Sequence, residues 1–187
     1  MTLKSHDIVV VIKLISIGER RWSYPSLAED LFMSPSGVYG SVKRAVECKL
    51  LEPEKKKPRR TAVEEFLIHG VKYVFPPQRG GLTRGMPTGY AAPPLASQIV
   101  QSTEHPPVWP YAKGTVRGYA FSPLHKSVPE AAEKDVCLYE LLALVDAIRG
   151  GRVREVSIAV EEIKDRLSPR KRPRRLVDIA QDRVETS

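Results

Sequence analysis

Apolar residues recur at three- and four-residue spacing along much of this chain, and each such stretch predicts a helix that buries one face. In the first, Ile8, Val11, Ile12 and Ile15 form the stripe. Ser5 stands where a cap is needed, Asp7 lies in the first turn, and Gly18 stops the run. Leu27, Ala28 and Leu31 predict a second, short helix that begins at Ser23 or Tyr24, with Pro25 in its first turn. Val38, Val42, Ala45 and Val46 predict a third, capped by Ser34 with Pro35 at its first position. Lys49, Leu50 and Leu51 then read as extended chain, and residues 62–71 as helix again, on Val63, Phe66 and Leu67.

The pattern changes between residues 75 and 129. Most of the prolines fall there, which argues against regular helix. Yet Leu82, Tyr90, Leu95, Val108, Trp109, Tyr119 and Phe121 make the window too apolar for a disordered linker. It predicts an ordered, extended segment that wraps over the rest, pinned by its aromatic side chains, with room for short strands such as 115–121. Helical spacing returns with Leu138, Leu141, Leu142, Val145 and Ile148, closed by Gly150 and Gly151. Val153, Val156, Val160, Ile163 and Leu167 mark a last helix, so the two form a helical hairpin. The final twenty residues are basic and proline-broken and read as a mobile tail. The expected fold class is mainly α, divided into a helical unit over 1–75, an extended Pro/Gly/aromatic segment over 76–135, the hairpin over 136–167 and the basic tail over 168–187.

Two short helices joined by a tight turn, over residues 23–51, have the pattern of a helix-turn-helix, a device for placing one helix in the major groove of DNA. The second helix must then present short or polar side chains outward. Ser34, Ser36, Gly37, Tyr39, Gly40, Lys43 and Arg44 are the outward positions. Ser34 and Ser36 sit at the helix N-terminus, where hydroxyl and backbone N–H groups can donate to a phosphate. Lys55, Lys56, Lys57, Arg59 and Arg60 follow directly and have the composition of a basic wing. Cations of this density make binding strongly dependent on salt. Over all 187 residues, Lys and Arg number 30 against 22 acidic residues, a formal net charge of +8, which favours a polyanionic partner.

The run LAEDLFMSPSGVYGSVKRA resembles the winged helix-turn-helix regulators of bacteria, in the broad MarR-like class. Leu27, Ala28 and Leu31 match the first helix, Ser34, Pro35 and Ser36 the turn, and Val38, Val42 and Ala45 the second helix. The resemblance covers residues 5–75 and implies an N-terminal winged helix-turn-helix that binds double-stranded DNA. The turn departs from the family's pattern at Phe32, where Gly is usual, which implies a looser bend or one shifted to Met33 and Ser34. Further on, GGLTRGMPTGYAAPPL, VWPYAKGTVRG and LYELLALVDAIRGGRVRE resemble an uncharacterised prokaryotic regulator-like family that lends no ligand or target.

Other residues point to ordinary structural roles. Cys48 and Cys137 lie far apart in apolar helical context and read as small buried hydrophobes in a reducing compartment. His6, His69, His105 and His125 show no metal-ligand spacing. The run from Arg79 to Gly85 is glycine-rich but lacks the P-loop Lys-Ser/Thr, and reads as a turn. Trp109 reads as an anchor for the wrapping segment. Glu140, Asp146, Arg149, Arg152, Arg154 and Glu155 surround the hairpin's bend as ion pairs or partner contacts. No catalytic constellation, metal site or cofactor is expected, and no membrane-spanning run, so the chain is expected in the cytoplasm. The function these readings predict is a sequence-specific transcriptional regulator, a homodimer whose contact comes from 136–167 or the first helix. The alternative is an antitoxin or adaptor whose residues 76–167 bind a protein partner and whose DNA binding serves autoregulation.

Overall fold

The computed structural model describes residues 2–99 and 105–168. The basic tail from residue 169 lies outside them. Helix α1 (Ser5–Ile17) runs through the middle of the molecule, and every residue from Asp7 to Ile15 is buried. Its cap differs from expectation. Lys4 takes the cap position and donates its backbone N–H to the Asp7 carboxylate at 2.7 Å, so Asp7 and not Ser5 closes the helix start. Helix α3 (Pro35–Glu47) packs beside it and α2 (Tyr24–Leu31) packs on α3, followed by α4 (Arg60–Glu65). The chain then widens into one π turn, Phe66–Gly70, with the Phe66 ring against Gly70, before α5 (Val71–Val74).

The proline-rich window is ordered, and most of its structure is a small sheet. Strand β1 (Arg79–Pro87) pairs antiparallel with both β2 (Pro107–Pro110) and β3 (Val116–Phe121). Strands β2 and β3 pair in parallel and close the sheet on itself. The 115–121 strand is therefore present, but the Arg79–Gly85 run is a strand and not a turn. Gly85 and Gly118 make this possible. A Cβ on Gly85 would stand 2.1 Å from the Trp109 carbonyl oxygen, and one on Gly118 2.0 Å from that of Pro106. The close passage of the β2 segment requires both to be bare.

Helix α6 (Val128–Lys134) leads into α7 (Val136–Gly150), and α8 (Val153–Leu167) folds back on α7. The hairpin of α7 and α8 exists, yet α7 is not a free contact surface. Every residue from Leu141 to Arg149 is buried, and α7 packs on α1, α5, α6 and α8. One apolar cluster joins Ile8, Leu27, Val42, Leu67, Trp109, Leu142 and Ile163. The stretches 1–75, 76–135 and 136–167 thus differ in sequence character but share a single core. The buried lengths of α1 and α7 face this core, while the start of α7, at Val136 and Cys137, and much of α8 remain exposed.

Two polar ties hold the parts in place. Lys13 of α1 bonds Asp135 at 2.8 Å and pairs with Asp30 at 3.0 Å. Asp135 also caps α7, accepting from Leu138 N–H at 3.0 Å, and takes the Ser16 hydroxyl at 2.9 Å. At the other end of α7, buried Asp146 accepts from Trp109 Nε1 at 2.6 Å, Thr88 Oγ1 at 2.9 Å and Arg149 Nη1 at 2.5 Å. Arg149 in turn donates to the carbonyls of Phe75 and Ser122. Trp109, 1 % exposed, is the anchor its setting predicts. Both cysteines are exposed, contrary to expectation: Cys48 at the end of α3 and Cys137 in the first turn of α7.

Candidate nucleic-acid interface

Helix α2 begins where Ser23 accepts from the Ser26 N–H at 3.2 Å, and Leu27, Ala28 and Leu31 turn inward. The turn to α3 closes at Phe32, which takes a left-handed conformation (φ 52, ψ 42). The reversal of the chain thus falls at Phe32 itself. A phenylalanine holds the conformation that glycine holds at lower cost, about 1 kcal/mol or more for a residue bearing a Cβ. Phe32 and Met33 donate their N–H groups back to Glu29 and Ala28, at 3.2 and 3.0 Å. The Lys134 ammonium sits 4.4 Å from the Phe32 ring centre, so the ring has a partner of its own.

Helix α3 starts on Ser34, whose Oγ accepts from the Gly37 N–H at 3.1 Å. Val38, Ser41, Val42 and Ala45 are buried toward α1. Ser34, Ser36, Tyr39 and Lys43 are exposed along the other side. The glycines have local explanations. A Cβ on Gly37 would lie 2.9 Å from the Ser34 hydroxyl, and one on Gly40 3.2 Å from Arg44 Nη1. Gly37 leaves room for the cap, and Gly40 for the Arg44 guanidinium.

Arg44 departs most from the sequence reading. Its guanidinium turns inward and grips fully buried Asp7, Nε to Oδ2 at 2.8 Å and Nη2 to Oδ1 at 2.7 Å. Nη2 also lies 3.1 Å from His6 Nε2 and 3.4 Å from Ser41 Oγ. Burial pushes the Asp7 carboxyl up, but the bonds from Arg44, the Lys4 N–H and Ser41 outweigh it and hold it below the usual carboxylate range. Burial, with Arg44 and Lys4 beside it, holds His6 below its ordinary value despite Asp7. His125, whose ring meets that of His6 at 5.8 Å, is lowered by burial and by His6. Arg44 is thus a bolt between α1 and α3 and not a base-reading side chain.

Beyond α3 the chain makes a minimal hairpin. Leu51 and Pro58 form a single antiparallel bridge. Glu52 N–H donates to Lys57 O and Arg59 N–H to Leu50 O, both at 2.9 Å. Lys56 (φ 52) supplies the reversal near the tip. Its ammonium lies 5.1 Å from the centre of the Tyr24 ring, which meets Tyr39 edge-on at 5.4 Å and Trp22 at 5.5 Å. An aromatic row therefore couples the hairpin to the exposed side of α3.

The structure brings Ser34, Ser36, Tyr39, Lys43, Lys55 and Lys56 to this surface, with exposed Arg59 at the hairpin's base. Lys57 is exposed but paired with Glu19. Arg60 donates to the Arg166 carbonyl at 3.3 Å and so braces α4 against α8. Sequence reasoning missed Arg20, Arg21, Trp22 and Tyr24. With Lys55, Lys56 and Lys57 they line a groove of about 440 Å³ beside the hairpin. The signal was present as two arginines directly before a tryptophan and the α2 cap. Among the described residues, no group of three or more His, Cys, Asp or Glu side chains could hold a metal ion, and no helix is long and apolar enough to cross a membrane. Comparison of the chain with protein-family models, with curated proteins and with solved structures found no match.

Proposed function

We propose that this protein is a transcriptional regulator that binds double-stranded DNA through a winged helix-turn-helix made of α1, α2, α3 and the hairpin at residues 50–59. One observation carries the reading. The exposed side of α3, with Ser34, Ser36, Tyr39 and Lys43, is joined by the Tyr24 ring to a hairpin tipped with Lys55 and Lys56. A helix flanked by a cationic hairpin suits a major groove and the adjacent phosphates. With Arg44 committed to Asp7, Lys43 is the cation left on α3 for a base or phosphate, and affinity rests largely on the hairpin.

A single helix of this kind reads few base pairs, so we infer a homodimer over two half-sites. Part of the apolar set that motivated the adaptor reading is not available to a partner. Trp109, Leu95, Val108 and Phe121 are spent on the protein's own core. The test is an electrophoretic mobility shift on the protein's own promoter. Replacing Lys55 and Lys56 with alanine is expected to weaken binding and flatten its salt dependence, by about one unit of slope for each phosphate that is no longer neutralised. Lys43→Ala is expected to narrow the margin over unrelated DNA. Unchanged binding by both variants sinks the proposal.

A further inference from the structure

The outer face of the β1–β3 ladder is unlike the rest of the sheet. Arg84 stands directly opposite Arg117, and Leu82 opposite Tyr119. Residues facing each other across an antiparallel pair point to the same side, as do residues two apart on one strand. Arg84, Arg117, Leu82 and Tyr119 therefore share one face. Both arginines are exposed, with Leu82 at 43 % and Tyr119 at 49 % exposure.

Like charges directly opposite destabilise a sheet. Nothing on these strands offsets the cost, since neither RGGLTRGMP nor VRGYAF contains an acidic residue. Arg79, at the far end of β1, is already occupied by the Gly150 carbonyl and the Phe121 ring. Among the described residues Arg84 and Arg117 have no such partner. They border a shallow groove of about 370 Å³ with Leu82, Thr83, Thr115 and Val116. Beside it the Tyr119 ring is held edge-on by His105 at 6.1 Å.

We propose that this face binds single-stranded nucleic acid, its phosphates on the Arg84–Arg117 pair and a base against Tyr119 and Leu82. The arginine pair suits an anion. The adjacent exposed ring and leucine suit a flat apolar group beside that anion. An unpaired nucleotide carries both, whereas a duplex keeps its bases stacked away from such a platform. A second copy of this chain is disfavoured, because a two-fold contact here would set arginines against arginines. The site uses no residue of α3 or the hairpin and stands without them.

The test is fluorescence anisotropy on the full chain with a labelled oligothymidylate and, separately, a labelled duplex. Tyr119→Ala is expected to weaken the oligothymidylate about tenfold to a hundredfold and to leave the duplex unchanged. Arg84→Ala combined with Arg117→Ala is expected to weaken it and flatten its salt dependence. Replacing Lys55 and Lys56 with alanine is expected to strike the duplex instead. Tyr119→Phe should restore binding, which separates stacking from loss of fold. The proposal is overturned if the oligothymidylate does not bind, if Tyr119→Ala binds it at full strength, or if single strand and duplex weaken together. Displacement of the oligothymidylate by polyglutamate but not by unlabelled single strand would assign the face to an acidic peptide and also overturn it.

Discussion

Arg44 shows what a single residue can conceal. On a helical projection it neighbours Lys43 and counts as outward, and a basic residue late in a recognition helix invites a phosphate. Its actual partner is Asp7, distant in sequence and fully buried. The pairing was not legible because periodicity reports which face is apolar, not which buried acid needs a cation. Gly40 carried half the clue, since a glycine within a helix is unfavourable unless something needs the space. The expected consequence is a large asymmetry between adjacent positions. Arg44→Ala leaves Asp7 buried and uncompensated and should cost about 3–5 kcal/mol. Lys43→Ala, on the solvent side, should cost under about 0.5 kcal/mol. Chemical denaturation of the two variants measures this, and equal midpoints would refute the role assigned to Arg44.

Among the elements, the helices were largely readable and the sheet was not. Ser34 and Pro35 located the start of α3, and Gly18 the end of α1, because caps and stops act within a turn of themselves. Strand β1 was hidden by its own glycines, which look like turn residues until Gly85 is seen beneath the close passage of β2. Only the pairing of distant segments explains Gly85, and no local pattern contains that information. Gly118→Ala tests the explanation. Its new methyl would stand 2.0 Å from the Pro106 carbonyl oxygen, so β2 must move away from β3. Overpacking of this kind costs about 1–3 kcal/mol. Thermal unfolding should show the destabilisation, while Gly81→Ala, with open space at that position, should unfold near the parent temperature.

At the scale of the whole molecule, the sequence marked out compositional regions and the structure shows them sharing one core. Apolar stripes name the faces that must be covered but not the faces that cover them, so the burial of α7 against α1 was not legible. The titrating groups sit at the seams of that core. Asp7 joins α1 to α3, Asp135 joins α1 to α7, and His6 meets His125 ahead of α6. Asp135, like Asp7, is pushed up by burial but held low on balance, by Lys13 and the Leu138 N–H. Both carboxyls are lowered in the folded state, so their contribution is complete above about pH 4 and is lost as pH falls through their folded values. Both histidines are lowered as well, so folding disfavours their protonation, and stability begins to fall below about pH 6.5. Burial pushes the Asp146 carboxyl up, so it works against this loss as pH falls toward about 4, and the histidine contribution is read as the difference between parent and variant. Replacing His6 and His125 with glutamine should lessen the fall in denaturation midpoint below about pH 6.5 and leave the carboxyl contributions in place. Parent and variant profiles that run parallel between about pH 7 and 5 would contradict this.

The two ties on α7 add a constraint of helical phase. Asp135 fixes one end to α1 through Lys13, and Asp146 fixes the other to the sheet through Trp109. A residue inserted between them turns one end by about 100° relative to the other. The inserted chain could keep its grip on α1 or on the sheet, but not on both. Substitutions along α7 are therefore graded injuries, each set by the volume it removes, whereas a change in its length breaks the registration between the two halves of the protein outright.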